Sequence, residues 1–319
     1  MAAAAWPSPP RAGRTPRPRF DLADVLRQHG DVYLQTHPAV VEQRRVVHAL
    51  TRCRTAALGG HLERCDACGH ERPAYNSCRN RHCAKCQTLA TVEWLAARRA
   101  ELLPVGYFHT VFTLPHALNG LAARNPRLVY SLLFHCAATT LQAFAHDPRH
   151  HLGGDLGFLA VLHTWDQQLR YHVHLHCVIA GGVLTADDAQ WVPARARFLF
   201  PVKALARAFR RRLLDGLAAA AARGDLVLPP AVSGPQLASL LADLRRQNWV
   251  VYCKPPFDGP ERVLTYLSRY THRIAISNHR LTHVDETAVS FTYHDRPDGN
   301  RVKTLSLPVD TFLGRFLQH

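Results

Sequence analysis

The most restrictive feature of this sequence is a run of histidines that alternate with apolar residues, YHVHLHCVIAGG at residues 171–182. His172, His174 and His176 recur at every second position, and a β-strand sends every second side chain to the same face. The run therefore predicts a strand with three imidazoles on one face and an apolar second face. Because neutral imidazole is the commonest protein metal ligand, we interpret the strand as a metal site. The alternative is a half-exposed strand in a chain that has 21 histidines.

The charge of the chain favours a polyanionic partner. Its 319 residues include 39 Lys and Arg against 24 Asp and Glu, a net charge of +15, which points to nucleic acid before a membrane surface. No run of 18 apolar residues is present, so we predict no membrane span. The first 20 residues, rich in Ala, Pro and Arg, are predicted to be a disordered basic arm rather than a signal peptide. We therefore expect a cytoplasmic protein, in which clustered cysteines indicate metal rather than disulfides.

Two C-x-x-C pairs, Cys65 with Cys68 and Cys83 with Cys86, are separated by fourteen residues. Their spacing is typical of tetrahedral zinc coordination by four thiolates. Six of the nine cysteines lie within residues 53–86, which argues against chance. A closed four-thiolate site leaves no coordination position for water, so we predict a structural zinc that serves folding and recognition rather than catalysis. Further ligand types in the same segment are Cys78, His70 and His82.

Basic side chains surround the cysteine segment and are interleaved with Tyr75 and Asn76. Zinc modules with a basic rim commonly bind nucleic acid, and a solvated surface is the alternative. The rim consists of Arg64, Arg72, Arg79, Arg81 and Lys85, of which Arg79, Arg81 and Lys85 are our candidates for DNA binding.

The spacing of apolar residues predicts helices and strands in mixed order along the rest of the chain. We expect strands at 107–115, 157–165 and 171–182, the last two as an antiparallel hairpin, and a second hairpin from 288–293 and 301–307. Helices are predicted at 21–57, 94–103, 117–146, 204–222, 235–247 and 261–272. This mixture indicates an α+β fold on an antiparallel sheet.

The predicted helix at 261–272 carries two tyrosines, Tyr266 and Tyr270, that are four residues apart and therefore share one helical face. A tyrosine hydroxyl is a poor nucleophile at its ordinary pKa near 10. It can attack beside cations and a metal-polarised phosphate, and Arg269 and Arg273 flank the pair. Ordinary amphipathic packing is the alternative for such a pair.

The order of a VFTLP strand, a histidine-apolar-histidine strand and a Tyr-x-x-x-Tyr helix resembles the three-motif arrangement of HUH-type single-strand DNA nucleases. More closely, the chain resembles the rolling-circle transposases of the IS91 insertion-sequence family. The resemblance rests on GGHLERCDACG, YNSCRNRHCAKCQ, LLPVGYFHTVFTLPHALN, AVLHTWDQQLRYHVHLHCVIAGG and YLSRYTHRIAISNHRL. It covers nearly everything after the basic arm at 1–20, and it implies a helical zinc-binding domain at 21–103 and an antiparallel-sheet HUH nuclease domain at 104–319.

The resemblance also implies a catalytic metal site for Mg²⁺ or Mn²⁺ and assigns its ligands. The paired ligands implied by the resemblance are His174 and His176. The alternation of histidines alone could not distinguish this pair from His172 and His174. Related nucleases add a third polar ligand, for which we expect Gln167, with His163 or His172 as the fallback. Such a site polarises the scissile phosphate and keeps positions open for it.

The nucleophiles implied by the resemblance fall on Tyr266 and Tyr270. One would attack the phosphate, release a 3′-hydroxyl and keep the 5′ phosphate as a tyrosine ester, and the second would cut another strand. Arg269 and Arg273 would bind DNA at that phosphate. The expected partner is single-stranded DNA at transposon ends and target, with no membrane, in the bacterial nucleoid.

Similar proteins continue past the position of His319 with a further basic segment, which leaves open whether this is an active or a shortened copy. Two other classes of function remain open from the sequence. A replication initiator or relaxase would share the nicking chemistry. A non-catalytic zinc-finger DNA-binding protein would explain the charge and the cysteines but not the histidine strand.

Overall fold

A computed structural model describes residues 18–185, 190–254, 274–295 and 298–319. The fold is α+β, as predicted, and the strands in these ranges form three antiparallel sheets. The helices are α1 (Leu22–Thr36), α2 (Val41–Arg52), α3 (Gln87–Arg99), α4 (Asn119–Arg124), α5 (Pro126–His146), α6 (Val202–Ala222), α7 (Gly234–Arg246) and α8 (Val309–Leu317). The strands are β1 (Gly60–Arg64), β2 (Glu71–Tyr75), β3 (Tyr107–Thr113), β4 (Gly154–Trp165), β5 (Tyr171–Thr185), β6 (Trp191–Pro193), β7 (Val251–Lys254), β8 (Leu281–Val284), β9 (Ala288–Asp295) and β10 (Arg301–Pro308).

The N-terminal helical stretch is two helices rather than one. The side chain of Asp21 accepts a hydrogen bond from the backbone N–H of Ala23 at 3.0 Å and so caps α1. The first helix stops before Pro38, because a residue that precedes proline is biased away from helical geometry. The prediction of helix over residues 21–57 was therefore right in type and wrong in continuity.

The largest sheet has the strand order β4-β5-β3-β7, and β6 pairs with the outer part of β5. The expected β4–β5 hairpin is confirmed, since the two strands pair antiparallel. Val173, Leu175 and Cys177 on one face of β5 are fully buried in the first hydrophobic core, which α5 and α6 cover. The alternation read from the sequence therefore fixes which face of β5 meets the core and which carries the histidines.

Helix α5 is long and apolar enough to cross a membrane, and no other helix in the described ranges is. Its Leu133, Ala137 and Leu141, four residues apart, are fully buried in the first core. A helix with one stripe buried against a sheet is typical of the core helix of a globular domain.

A second core joins the two ends of the chain. Leu22 and Leu26 of α1 pack with Phe291 of β9 and Phe312 of α8, and β8, β9 and β10 form their own antiparallel sheet, which includes the predicted second hairpin. The division into domains at residue 103 stays a prediction. The N-terminal helices nevertheless bury their apolar faces against the C-terminal part of the chain.

Strands β1 and β2 form a hairpin that projects from the second core. The backbone N–H of Arg54 bonds to the carbonyl of Asn76 at its base. Beyond this base most residues of both strands are exposed to solvent on either face. The tip of the hairpin carries Cys65 and Cys68.

Candidate active site and metal centres

The histidine centre is assembled on the two longest strands of the main sheet. His163 of β4 lies directly opposite His174 of β5 in the antiparallel register, and His176 follows on the same face. The ligand atoms of these three imidazoles lie within 4.8 Å of one another. His163 and His176 are buried, whereas His174 is half-buried and faces the opening. The three donors fit a divalent cation held from one side of the sheet.

Two of the three rings are held in a definite orientation. Nδ1 of His174 donates to the backbone carbonyl of His172 at 2.9 Å. Nδ1 of His176 lies 2.9 Å from Nε2 of His109, and the two rings are stacked with centroids 5.1 Å apart. Metal-binding histidines characteristically have their second ring nitrogen fixed in this way. In both rings Nε2 is therefore the nitrogen suited to a metal.

His109 was not singled out from the sequence, and it is the strongest addition to the site. It lies on β3 and is fully buried. In the register of the sheet Val111 is opposite His176, so His109 is its diagonal neighbour. The available signal was a histidine in a strand made mainly of apolar and aromatic residues, because a buried imidazole needs a polar partner.

The expected third ligands occupy different places around the centre. His163, the fallback, supplies the third ring of the group. Gln167, the first choice, lines the same pocket from the turn between β4 and β5, and its role as a ligand stays a prediction. His172 is not part of the three-ring group, and its Nδ1 lies 2.8 Å from Nε2 of His116.

The turn that carries Gln167 is fixed by the second core. Arg280 donates to the carbonyl of Gln167, and Arg315 donates to that of Gln168 at 3.0 Å. Leu169 is fully buried in the second core with a φ of +60°, a left-handed conformation that costs energy for leucine. The burial of Leu169 and the two arginine contacts therefore hold the turn against the histidine centre.

The histidine centre opens into a pocket of about 440 Å³. Two acidic groups in it are already engaged, since Asp166 pairs with Arg170 at 2.6 Å and Asp295 with Lys303 at 2.7 Å. The hydrogen bond from Lys303 holds the pKa of Asp295 below its usual range. Aromatic rings that line the pocket are Trp165, Tyr252 and Tyr293.

A second groove, of about 530 Å³, lies next to this pocket and shares His163 and Trp165 with it. Arg81 and His82 of the cysteine segment line it together with His319. The ring of His163 stacks on Trp165 with centroids 4.9 Å apart. The two concave surfaces therefore meet at the end of β4.

The predicted nucleophiles Tyr266 and Tyr270 and the flanking Arg269 and Arg273 lie outside the described residues. The roles assigned to them stay predictions.

A second group of ligands consists of four cysteines. Sγ of Cys53 lies 3.4 Å from that of Cys86 and 3.5 Å from that of Cys83, and Cys78 is 3.7 Å from Cys86. A tetrahedron with Zn–S bonds of about 2.3 Å has edges of about 3.8 Å. The four sulfurs therefore fit a closed zinc site.

This group differs from the predicted one, because Cys83 and Cys86 meet Cys53 and Cys78 rather than Cys65 and Cys68. The physical reason is the hairpin. Its strands have five residues each, so at about 3.3 Å per residue the tip lies roughly 16 Å from the base. Cys78 was named as a spare ligand. Cys53, at the end of α2, was counted in the cysteine cluster but not recognised as a ligand.

Burial disfavours a bare thiolate at Cys78 and at Cys83. It raises the pKa of Cys78 to about 12 and raises the pKa of Cys83 still further. Without a cation these thiols stay protonated at neutral pH, whereas a bound Zn²⁺ deprotonates its ligands. Because Cys53 and Cys83 are also buried members of the second core, a zinc ion here would connect α2 and α3 to it.

The predicted DNA-binding residues of the cysteine segment differ in their surroundings. Arg79 and Arg81 are exposed, and Arg81 lines the groove beside His163. Lys85 instead forms an ion pair with Asp21, the residue that caps α1. This contact favours a structural role for Lys85, and its DNA binding stays a prediction.

Comparison with known proteins gives consistent matches over most of the chain. A family described as putative transposase matches residues 157–319, and a transposase zinc-binding domain named for IS91 matches residues 25–114. The putative transposase y4qJ of Sinorhizobium fredii is 49% identical over 304 residues, which cover 94% of this chain and 76% of the relative. The transposase for insertion sequence element IS801 of Pseudomonas savastanoi pv. phaseolicola is 29% identical over 327 residues, covering 96% and 73%. No solved structure matches the chain.

Proposed function

Because this chain belongs to the IS91 family of transposases, we propose that it moves DNA by nicking and rejoining single strands through 5′-phosphotyrosine intermediates. The observation that carries the proposal is the convergence of His163, His174 and His176 at the floor of an open pocket. A protein that only bound DNA would have no need of three clustered imidazoles beside a cavity large enough for a phosphate.

The three histidines would hold a divalent cation through ring nitrogens, with His109 and the carbonyl of His172 fixing two of the rings. A cation bound there supplies Lewis-acid polarisation of the scissile phosphate. Mg²⁺ prefers an all-oxygen octahedral shell. We therefore expect Mn²⁺ to support activity better than Mg²⁺, and the amide oxygen of Gln167 would add an oxygen ligand from the turn.

Tyr266 and Tyr270 are the proposed nucleophiles. The phenol oxygen of one would form a bond to phosphorus, while the bond from phosphorus to the 3′ oxygen breaks. The phenol proton leaves and the departing 3′ oxygen takes one up, which yields a 3′-hydroxyl and a 5′-phosphotyrosine. Because the ester conserves the energy of the broken phosphodiester, a 3′-hydroxyl can reverse the step without ATP. A second tyrosine allows a second strand to be cut while the first is held.

The lining of the two adjoining cavities supports a single strand as the substrate. Trp165, Tyr252 and Tyr293 offer aromatic rings at the histidine pocket, and unpaired bases stack on such rings whatever their sequence. Arg81 lies on the wall of the second groove, where its guanidinium would bind backbone phosphates. A paired duplex has no exposed base faces for these rings.

The test uses one DNA strand labelled at either end, incubated with the full chain and Mn²⁺. A 5′-phosphotyrosine retains the downstream fragment, so the 3′-labelled strand should give a labelled protein adduct. The 5′-labelled strand should give a shortened product with an extendable 3′-hydroxyl. The Tyr266→Phe, Tyr270→Phe double variant should form no adduct.

Tyr252 and Tyr293 provide matched controls, because they are tyrosines that line the histidine pocket itself. Tyr252→Phe and Tyr293→Phe should retain the adduct. Loss of the adduct in either control, or its persistence in the double variant, would contradict the assignment of the nucleophiles. If the wild type bound the strand without cleaving it, the proposed chemistry would be refuted. The chain would then be a DNA-binding protein of this family.

A further inference from the structure

The tip of the projecting hairpin has the backbone geometry of a metal-binding knuckle. The backbone N–H groups of Ala67 and Cys68 are directed at the sulfur of Cys65. The N–H of Gly69 bonds to the carbonyl of Cys65 at 2.8 Å, and that glycine has a φ of +70°, which closes the turn. Hydrogen bonds of this kind stabilise a thiolate, so the pair Cys65 and Cys68 is arranged to bind a soft cation.

The knuckle is nevertheless only half of a site. In the described parts of the chain, no third cysteine, histidine or carboxylate joins Cys65 and Cys68 within 4.8 Å. Structural zinc is almost always four-coordinate. The other pair of knuckle cysteines, Cys83 and Cys86, is already used in the buried group with Cys53 and Cys78. Two further thiolates from outside this hairpin would complete a four-coordinate zinc site at its tip.

The hairpin that carries this half-site is also short of stabilising contacts. An isolated two-stranded hairpin is at best marginally stable in water. Here Leu62 is 61% exposed and Tyr75 is 42% exposed, so apolar side chains on the hairpin are uncovered. A contact that covers the hairpin and fixes its tip would supply what its own strands lack.

The charge of the hairpin favours a second hairpin over DNA as the covering partner. Between residues 60 and 75 three acidic side chains, Glu63, Asp66 and Glu71, stand against two arginines, Arg64 and Arg72. The whole chain carries +15. Because acidic side chains outnumber arginines in this segment, two copies can approach here without strong repulsion, and a polyanion is not attracted.

We propose that two copies of this chain share one zinc ion between their hairpin tips, held by Cys65 and Cys68 of each copy. Each copy contributes two thiolates to one tetrahedral site and gives up two thiol protons on binding. The zinc closes a two-fold symmetric dimer of the kind commonest among soluble oligomers. The buried four-cysteine group remains a separate centre within each copy.

The experiment measures zinc content and molar mass together on the full chain, purified with added Zn²⁺ under a thiol-free reductant. The wild type should be a dimer with about one and a half zinc ions per chain. The Cys65→Ser, Cys68→Ser double variant should be a monomer that has lost about half a zinc ion per chain. This difference of about half a zinc ion per chain is the same whatever fraction of the buried four-cysteine group holds zinc. It also requires no nicking activity.

The matched control is the Asp66→Asn, Ala67→Ser double variant, which changes the two residues between the cysteines and keeps both thiols. It should keep the zinc content and the mass of the wild type. Because all four positions are exposed, each variant should keep the circular dichroism spectrum of the parent.

Two results would overturn the proposal. Equal zinc content in the wild type and the cysteine variant would show that the tip binds no zinc. A monomeric wild type that holds a full additional zinc ion per chain would show that ligands from the same copy complete the tip.

Discussion

The histidine centre would take its metal ligands from two paired strands, whereas the cysteine centre would take its ligands from a helix end, a loop and a turn. In the first, His163 and His174 face each other across one ladder. In the second, Cys53 and Cys86 are brought to 3.4 Å from positions 33 residues apart. A strand repeats its side-chain direction every second residue, so one ladder defines the histidine centre. Nothing periodic connects the cysteines, and only tertiary packing brings them together.

The difference suggests a division of work between the two centres. The cysteines are part of the second core, and their closed geometry suits stability. The histidines border an open pocket on a sheet that the first core already stabilises. Loss of the cysteine centre should therefore affect folding most, and loss of the histidine centre should affect chemistry most.

The largest expected effect follows from removing a cysteine ligand. Cys83→Ser should lower the free energy of unfolding by more than about 4 kcal/mol, because loss of a structural metal is among the few single changes with so large an effect. Denaturant unfolding measures the loss of free energy, and zinc analysis measures the loss of the metal. Cys68→Ser, at the exposed tip, should change the unfolding of the body by less than about 1 kcal/mol. Equal effects would favour the ligand set predicted from spacing.

The second prediction concerns the histidine whose ring faces the opening. His174→Ala should lower the rate of strand nicking by at least about 100-fold, since it removes a proposed ligand of the polarising cation. It should leave the unfolding temperature nearly unchanged, because His174 is only half-buried. His172→Ala is the control and should stay within about threefold of the wild type. A similar loss of nicking in both variants would mean that His172 and His174, rather than His174 and His176, bind the metal.

The third prediction examines whether the histidine centre extends beyond its two strands. His109→Leu should weaken Mn²⁺ binding about 10- to 100-fold, the usual cost of losing the partner that orients a ligand. His109→Gln can still hydrogen-bond to Nδ1 of His176 and should recover part of the affinity. Calorimetric titration of the full chain with Mn²⁺ measures both variants. Unchanged affinity in His109→Leu would restrict the centre to the three coordinating rings.

The smallest expected effect concerns pH. Burial lowers the pKa of His319 from 6.5 to about 4, where its ring packs against Trp165. Its stabilising contribution is therefore complete above pH 6.5 and is lost as pH falls towards 4, because the unfolded chain takes up the proton first. At pH 5 the loss should be about 1 to 2 kcal/mol.

The His319→Gln variant should remove this part of the pH dependence of unfolding. Equal slopes in His319→Gln and the wild type would contradict the prediction. A confirmed effect would link the groove beside the histidine centre to the packing of α8.

The sequence was most informative where structure is local. The period of two placed His172, His174 and His176 on one face of β5, and the β4–β5 hairpin followed from its short turn. The family resemblance narrowed the ligands to His174 and His176, which the structure groups with His163. The predicted partners of Cys83, which were Cys65 and Cys68, differ from the Cys53 and Cys78 that lie beside it in the structure. The spacing of a C-x-x-C pair cannot tell a projecting hairpin from a folded one.

Contacts between distant parts of the chain could not be read from the sequence. His109 reaches His176 across 67 positions, and Asn278 donates to the carboxylate of Asp21 across 257. Each residue alone carries no signal of its partner. Lys85 looked like part of a basic rim for the same reason, since its ion pair with Asp21 forms only once α1 packs beside the cysteine segment.

The second core has a consequence for how the protein is made. Ribosomes deliver Leu22 and Leu26 well before their packing partners Phe291 and Phe312, which lie hundreds of residues further along the chain. Until then the opening helices have no apolar surface to bury against, and the turn next to the histidines lacks Arg280 and Arg315. A polypeptide released before these residues are made would therefore lack both the second core and the contacts that hold the turn beside the histidine centre.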